Sequence, residues 1–190
     1  MKTVLQVAKA ELKTLFYSPI AWFLLIIFFI QAGVAYFGQL DPIARMQDSG
    51  VTLSFSLTNS IFFGRGVFNT VVQNLYLYLP LLTMGLISRE MSSGTIRLLY
   101  SSPIKVSGIV LGKFLSIMVL NLLLTLVVII YILITYCFIP FPDTGLLLAS
   151  LLGLFLLLCA YAAIGIFMSS LTNYQVVAAV CTFVAIWVLH

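Results

Sequence analysis

The residues that could do chemistry are few, and most fail on spacing. Gly108-Ile109-Val110-Leu111-Gly112-Lys113-Phe114 resembles a phosphate-binding loop, in which glycines let backbone N–H groups close on an anion. That loop needs four residues between the glycines and Ser or Thr after the lysine. Here three intervene and Phe114 follows. Ser102-Pro103-Ile104-Lys105 has the SxxK spacing of certain serine acyl-transfer enzymes, but the other elements of that site are absent. A Ser-Pro helix start accounts for it. His190 is the single histidine, so no His-based hydrolase or His-rich metal site can be built. Cys137, Cys159 and Cys181 sit in apolar segments with no CxxC or metal-like spacing and read as small buried packing residues. No acid lies within an apolar run, which argues against proton coupling through an intramembrane carboxylate. No catalytic residue and no metal site are expected.

One polar pattern survives. Asn69, Gln73, Tyr76, Pro80 and Thr83 recur at steps of four, three, four and three, one face of a helix. Amides in hydrocarbon need partners. The face reads either as glue between helices of a bundle or as the wall of a substrate path. Ala149, Gly153, Ala163, Gly165 and Ser169 read as close-packing positions on another helix.

The elements that must carry these residues follow from composition. Of 190 residues, 63% are hydrophobic and 7% charged, against about 45–50% and 25% in soluble domains. Only a bilayer can receive so much apolar surface, and the same abundance excludes disorder. The net charge of +4 forms no basic stripe or RNA-reading motif, so no nucleic-acid partner is implied. The fold class is an all-α polytopic membrane protein, one transmembrane domain over residues 1–190. Apolar spacing at Val4, Leu5, Ala8, Leu12, Leu15 and Phe16 predicts an interfacial helix over 1–18, apolar side in the lipid. Ser18-Pro19 restarts the chain. About five spans follow, near 20–40, 67–88, 109–139, 146–168 and 175–190. The third run is long for the hydrocarbon core, so Lys113 near its start is expected to snorkel into the headgroup layer. The fifth run is still apolar at His190, and the sequence is expected to be truncated inside a membrane helix.

Orientation follows from the basic residues. Lys2, Lys9 and Lys13 precede the first span, and Arg89, Arg97, Lys105 and Lys113 follow the second; only Arg45 and Arg65 fall between them. The N-terminus and the 89–108 loop are therefore expected in the cytoplasm, with 41–66 and 140–145 outside.

The loop after the second span reads Ser88-Arg89-Glu90-Met91-Ser92-Ser93-Gly94-Thr95-Ile96-Arg97-Leu98-Leu99-Tyr100-Ser101-Ser102-Pro103-Ile104, followed by Gly112-Lys113-Phe114. This resembles the ABC-2 type permeases of ABC transporters, whose pattern is a Glu, a Gly-Thr, a Leu-Leu, a Ser-Pro-Ile and a Gly-Lys-Phe entering the next span. Leu15-Phe16-Tyr17-Ser18-Pro19-Ile20-Ala21, Ala160-Tyr161-Ala162-Ala163-Ile164-Gly165 and Ser169-Ser170-Leu171-Thr172-Asn173 look like the gliding-motility-type subgroup. The resemblance implies a helical bundle of six spans, about five of them held here, in a bacterial inner membrane. It implies a separate cytoplasmic ATPase carrying the ATP and Mg, and a second permease subunit, identical or different. It also implies a coupling helix in the 89–108 loop, with Glu90, Gly94, Thr95, Leu98, Leu99 and Pro103 as its coupling residues. The residues agree physically: Gly94 can break the helix leaving span two, and Thr95 can cap a short helix through Ser101. The alternative is a structural or receptor-type membrane protein with no ATPase.

Overall fold

The structure, a computed structural model, describes residues 2–48, 61–63, 66–95, 106–138 and 144–189. Among them every regular element is a helix: α1 (Lys2–Tyr17), α2 (Pro19–Asp48), α3 (Val67–Thr83), α4 (Ser88–Ser92), α5 (Val106–Phe138), α6 (Thr144–Ser170) and α7 (Gln175–Leu189). Among the described residues, four stretches are long and apolar enough to cross a membrane: Pro19–Leu40, Val67–Ser92, Val106–Cys137 and Thr144–Ser170. The expected fifth, α7, has 15 described residues, about 22 Å at 1.5 Å per residue against a core of roughly 30 Å.

The distribution of side chains is that of a protein dissolved in lipid. On α6, Leu148, Leu152 and Leu156 are 68%, 61% and 58% exposed, whereas Ser169 is fully buried; on α5, Ser116, Asn121, Thr125 and Thr135 are buried. In water this inversion would be ruinous. In a bilayer the lipid accepts leucine, and polar groups must find partners inside the protein. The same physics corrects two sequence expectations. Cys137 and Cys181 are exposed rather than buried, because an apolar side chain gains as much facing lipid as facing protein. Of the small residues on α6, Gly165 and Ser169 do pack, but Ala149 and Ala163 face outward and a Cβ on Gly153 would meet nothing within 4 Å.

The chain packs as two compact units, one comprising Met1–Leu24, Leu75–Asn121 and Leu157–His190, the other Leu25–Asn74 and Leu122–Leu156. In the second, an aromatic cluster joins α2 to α5. The Tyr131 hydroxyl donates to the Phe29 carbonyl at 3.0 Å, and the Tyr36 and Tyr131 rings lie 5.4 Å apart. The Thr135 hydroxyl donates to the Tyr131 carbonyl at 2.9 Å and lies 3.0 Å from the Tyr36 hydroxyl. Each buried phenol or hydroxyl thus has a partner, as low-dielectric surroundings require.

In the first unit, Ser18 closes α1 with its amide 3.1 Å from the Thr14 and Leu15 carbonyls, and Pro19 opens α2, where its missing N–H costs nothing. Trp22 folds back over the corner, its indole N–H donating to the Phe16 carbonyl at 2.9 Å. The apolar stripe of α1 meets protein and not lipid alone. A Cβ added to Gly112 would lie 2.7 Å from Val7 Cγ1 and 3.1 Å from the Val4 carbonyl, and Ala8 is buried. Only glycine lets α1 come this close to α5, while Leu5 and Tyr17 stay exposed.

Candidate functional site

The first unit holds a buried ionic junction. Lys113, near the start of α5, is 2% exposed, which overturns the expected snorkelling position. Its ammonium donates to the Leu86 carbonyl at 2.7 Å, to Glu90 Oε1 at 2.7 Å and to Glu11 Oε1. All three ammonium hydrogens are therefore used. A charge buried this deeply survives only with such pairing, since an unpaired one costs several kcal/mol. The two carboxylates are partly open, with side chains 18% and 23% exposed for Glu11 and Glu90. Beside Glu11 lies a cavity of about 40 Å³ lined by residues that include Glu11, Ser18, Gly85 and Arg89, room for a water to reach the Glu11 carboxylate. The junction binds three elements: α1 through Glu11, the segment after α3 through Leu86 and Glu90, and the start of α5 through Lys113. Gly112 seats α1 next to the lysine.

Span two does not run unbroken into the loop. Helix α3 ends at Thr83 and α4 restarts at Ser88, leaving 84–87 non-helical. Within a membrane such a break is tolerated only where its backbone groups are satisfied. Here side chains from other helices do so. The Ser169 hydroxyl, at the end of α6, donates to the Met84 carbonyl at 3.0 Å and accepts from the Ile87 and Ser88 amides at 3.2 and 3.1 Å. The Ser88 hydroxyl also donates to the Met84 carbonyl, and Lys113 holds the Leu86 carbonyl. One turn above Ser169, Gly165 lets α6 lie against Thr83.

The structure treats the expected site residues unevenly. Glu90 is brought to Lys113. Gly94 adopts φ +72°, the left-handed conformation that glycine enters without penalty, and it ends the extension of α4. The Thr95 hydroxyl turns back toward the Glu90 carbonyl at 3.4 Å and the Ser93 hydroxyl at 2.5 Å. Leu98, Leu99 and Pro103 lie outside the described residues, as does the expected short helix through Ser101. On α3 the polar face does not act as one. Thr83 is fully buried and donates to the Leu79 carbonyl at 2.8 Å, and Pro80 is buried. Asn69 and Tyr76 are half-buried, Tyr76 edge-on to Phe183 at 5.4 Å. Gln73 is exposed. The steps of four and three explain it: at about 100° per residue, Gln73 lies roughly 40° to one side of Asn69 and Thr83 roughly 40° to the other, so the stripe straddles the edge of the packing face.

Sequence reasoning missed Ser169 as a capping residue and Glu11 as an ionic partner. A signal for the second was present, because a lysine just inside a long apolar run calls for a carboxylate nearby. For Ser169 there was none, since its partners are backbone groups more than eighty residues away. Among the described residues no group of His, Cys, Asp and Glu could hold a metal ion.

No curated protein and no solved structure matches the chain. The family of ABC-2 family transporter proteins matches it over residues 5–190, nearly its whole length. With four stretches able to cross a membrane, this chain belongs to the ABC-2 transporter family as a membrane-spanning permease.

Proposed function

We propose that the chain is the permease subunit of an ATP-driven exporter in a bacterial inner membrane, closest to the gliding-motility-type subgroup. Its N-terminus and its 89–108 loop are cytoplasmic. The loop engages a separate ATPase that carries ATP and Mg, and the complex holds two permease subunits, alike or different. The observation that carries this reading is the Lys113 junction. It ties α1, the segment after α3 and the start of α5 together, which supports a common side for the N-terminus and the 89–108 loop, and the excess of basic residues beside those segments in the sequence supports that side being the cytoplasm. A load applied to the loop then reaches two spans at once. The half-buried and exposed polar groups Asn69, Gln73 and Tyr76 are candidates for the path or for the contact with the second permease.

Leu98 and Leu99 are the proposed plug for a groove on the ATPase. Replacing both by Asp desolvates two charges in that contact, about 3 kcal/mol or more, a factor of about 100 in affinity. Pull-down of the ATPase by the double variant is expected to fail while the variant still inserts. Wild-type capture and wild-type membrane ATPase activity would reject this loop as the coupling element.

Topology is tested by single-cysteine labelling from outside intact cells in a cysteine-free background. A cysteine at Asp48 should react and one at Ser92 should not. Labelling of Ser92 alone would invert the orientation.

A further inference from the structure

Helix α4 lacks a cap of its own. Its N-cap position is held by Ile87, which makes no side-chain capping bond and whose β-branched apolar side chain is among the poorest for the purpose. The first amides of a helix have no partner within it. Here two of them, Ile87 and Ser88, are taken by Ser169 Oγ at 3.2 and 3.1 Å, and the same hydroxyl donates to the Met84 carbonyl at 3.0 Å on the far side of the break. A serine hydroxyl offers one hydrogen and two lone pairs, so this one is fully occupied, and it is completely buried. It works as an N-cap supplied by another helix. It grips both lips of the break, the last turn of span two through Met84 and the restarted helix through Ile87 and Ser88.

We infer that Ser169 is a positioning residue for coupling: it makes 84–87 a pivot of fixed geometry between span two and the cytoplasmic segment, and ties that pivot to the end of span four. The inference rests on the permease reading above. Within 84–87 the Met84 and Leu86 amides still bond back to the Pro80 and Thr83 carbonyls, but the Ile87 and Ser88 amides go to Ser169 and not to the preceding turn, so the backbone can bend there. Without Ser169 the break would still exist, held by the Ser88 hydroxyl and by Lys113 at Leu86, but its two free amides would lose their partner. Motion of the 88–95 segment would then spend itself in the loosened break. With Ser169 in place the same motion pulls on the ends of spans two and four together.

The test uses the full chain in lipid nanodiscs, alone and co-purified with its ATPase. Backbone hydrogen exchange reports local opening. Ser169→Ala is expected to speed exchange of the Ile87 and Ser88 amides at least tenfold, with α5 and the rest of α6 unchanged, and Ser169→Thr, which keeps the hydroxyl, should restore protection. Ser169→Cys, close in volume with a weaker hydrogen-bonding group, should fall between and serves if Ser169→Ala does not insert. In the complex, vanadate-sensitive ATPase activity is expected to fall at least fivefold in Ser169→Ala and to recover in Ser169→Thr. Exchange at Ile87 and Ser88 within twofold of wild type, or ATPase activity unchanged despite loosened amides, would overturn the inference. A wild-type chain that captures no ATPase would instead reject the permease reading, while the exchange result would still decide whether Ser169 caps the break.

Discussion

Lys113→Ala is expected to remove most of the folded protein from the membrane. The substitution leaves Glu11 and Glu90 facing one another beside an orphaned Leu86 carbonyl, in a site where the lysine was 2% exposed. Breaking a buried ion pair from one side costs about 3–5 kcal/mol, a large share of the stability of a typical domain. The partial exposure of the two carboxylates lets water soften the loss, so the lower end of that range is expected. The three residues act as a unit, so their effects should not add. Removing all the charge together, with Lys113→Met, Glu11→Gln and Glu90→Gln, should recover much of the stability, because an apolar or neutral replacement of a buried ionic group is often close to neutral. Fluorescence-detected size-exclusion chromatography after heating measures this: the single variant should melt well below wild type and the triple variant between the two. A Lys113→Ala protein that melts with wild type would mean that the junction carries no structural load. If the triple variant keeps its stability but no longer supports ATPase-linked activity, the junction is needed for communication beyond its role in folding.

The second large effect is expected at Gly165. A Cβ there would collide with Thr83 Oγ1 and lie 2.7 Å from Thr83 Cβ, closer than any real contact sustains, and the Thr83 hydroxyl is already committed to the Leu79 carbonyl. Two effects of Gly165→Ala compete. Ala raises helix propensity by about 1 kcal/mol, whereas overpacking costs about 1–3 kcal/mol. The contact to Cβ cannot be relieved by a rotamer change, so strain wins and α6 must move away from α3. Gly153→Ala on the same helix supplies the contrast. Nothing lies within 4 Å of its added Cβ, so only the propensity gain remains, and this variant should melt at or above wild type. Thr83→Ala should rescue Gly165→Ala in part, since it removes Oγ1 and Cγ2 but leaves Cβ in place. Equal melting of the Gly165 and Gly153 variants would show that α3 and α6 do not meet as described. The displacement also bears on coupling, because Ser169 sits one turn along from Gly165 and must reach the break at 84–87.

The class of the protein was written in its composition. Apolar runs of membrane length, few charges and basic residues gathered beside two runs leave no other solvent than lipid, and these are properties of the chain taken segment by segment. The restart at Ser18-Pro19 and the turn at Gly94 were equally legible, since proline and glycine act on their own backbone. The partners were not. Whether a leucine or a cysteine faces lipid or protein cannot be read from hydrophobicity when both surroundings are apolar, and this is why Ala149, Gly153, Cys137 and Cys181 were misplaced. Stripe periodicity placed Asn69, Gln73 and Thr83 together, but the packing edge, set by neighbouring helices, sent Gln73 out and Thr83 in. Lys113 looked like a snorkelling lysine because sequence shows only its own run; Glu11, 102 positions away, decides that it stays inside. Ser169 was one small residue among several until folding set it against the Ile87 and Ser88 amides. The sequence by itself therefore determined which stretches are apolar enough to cross a membrane and where the chain restarts at Ser18-Pro19 and turns at Gly94, because those follow from local transfer energy and backbone sterics. The tertiary structure alone decided which polar groups satisfy one another, because in a medium without water a buried polar group must find its partner wherever the fold brings one.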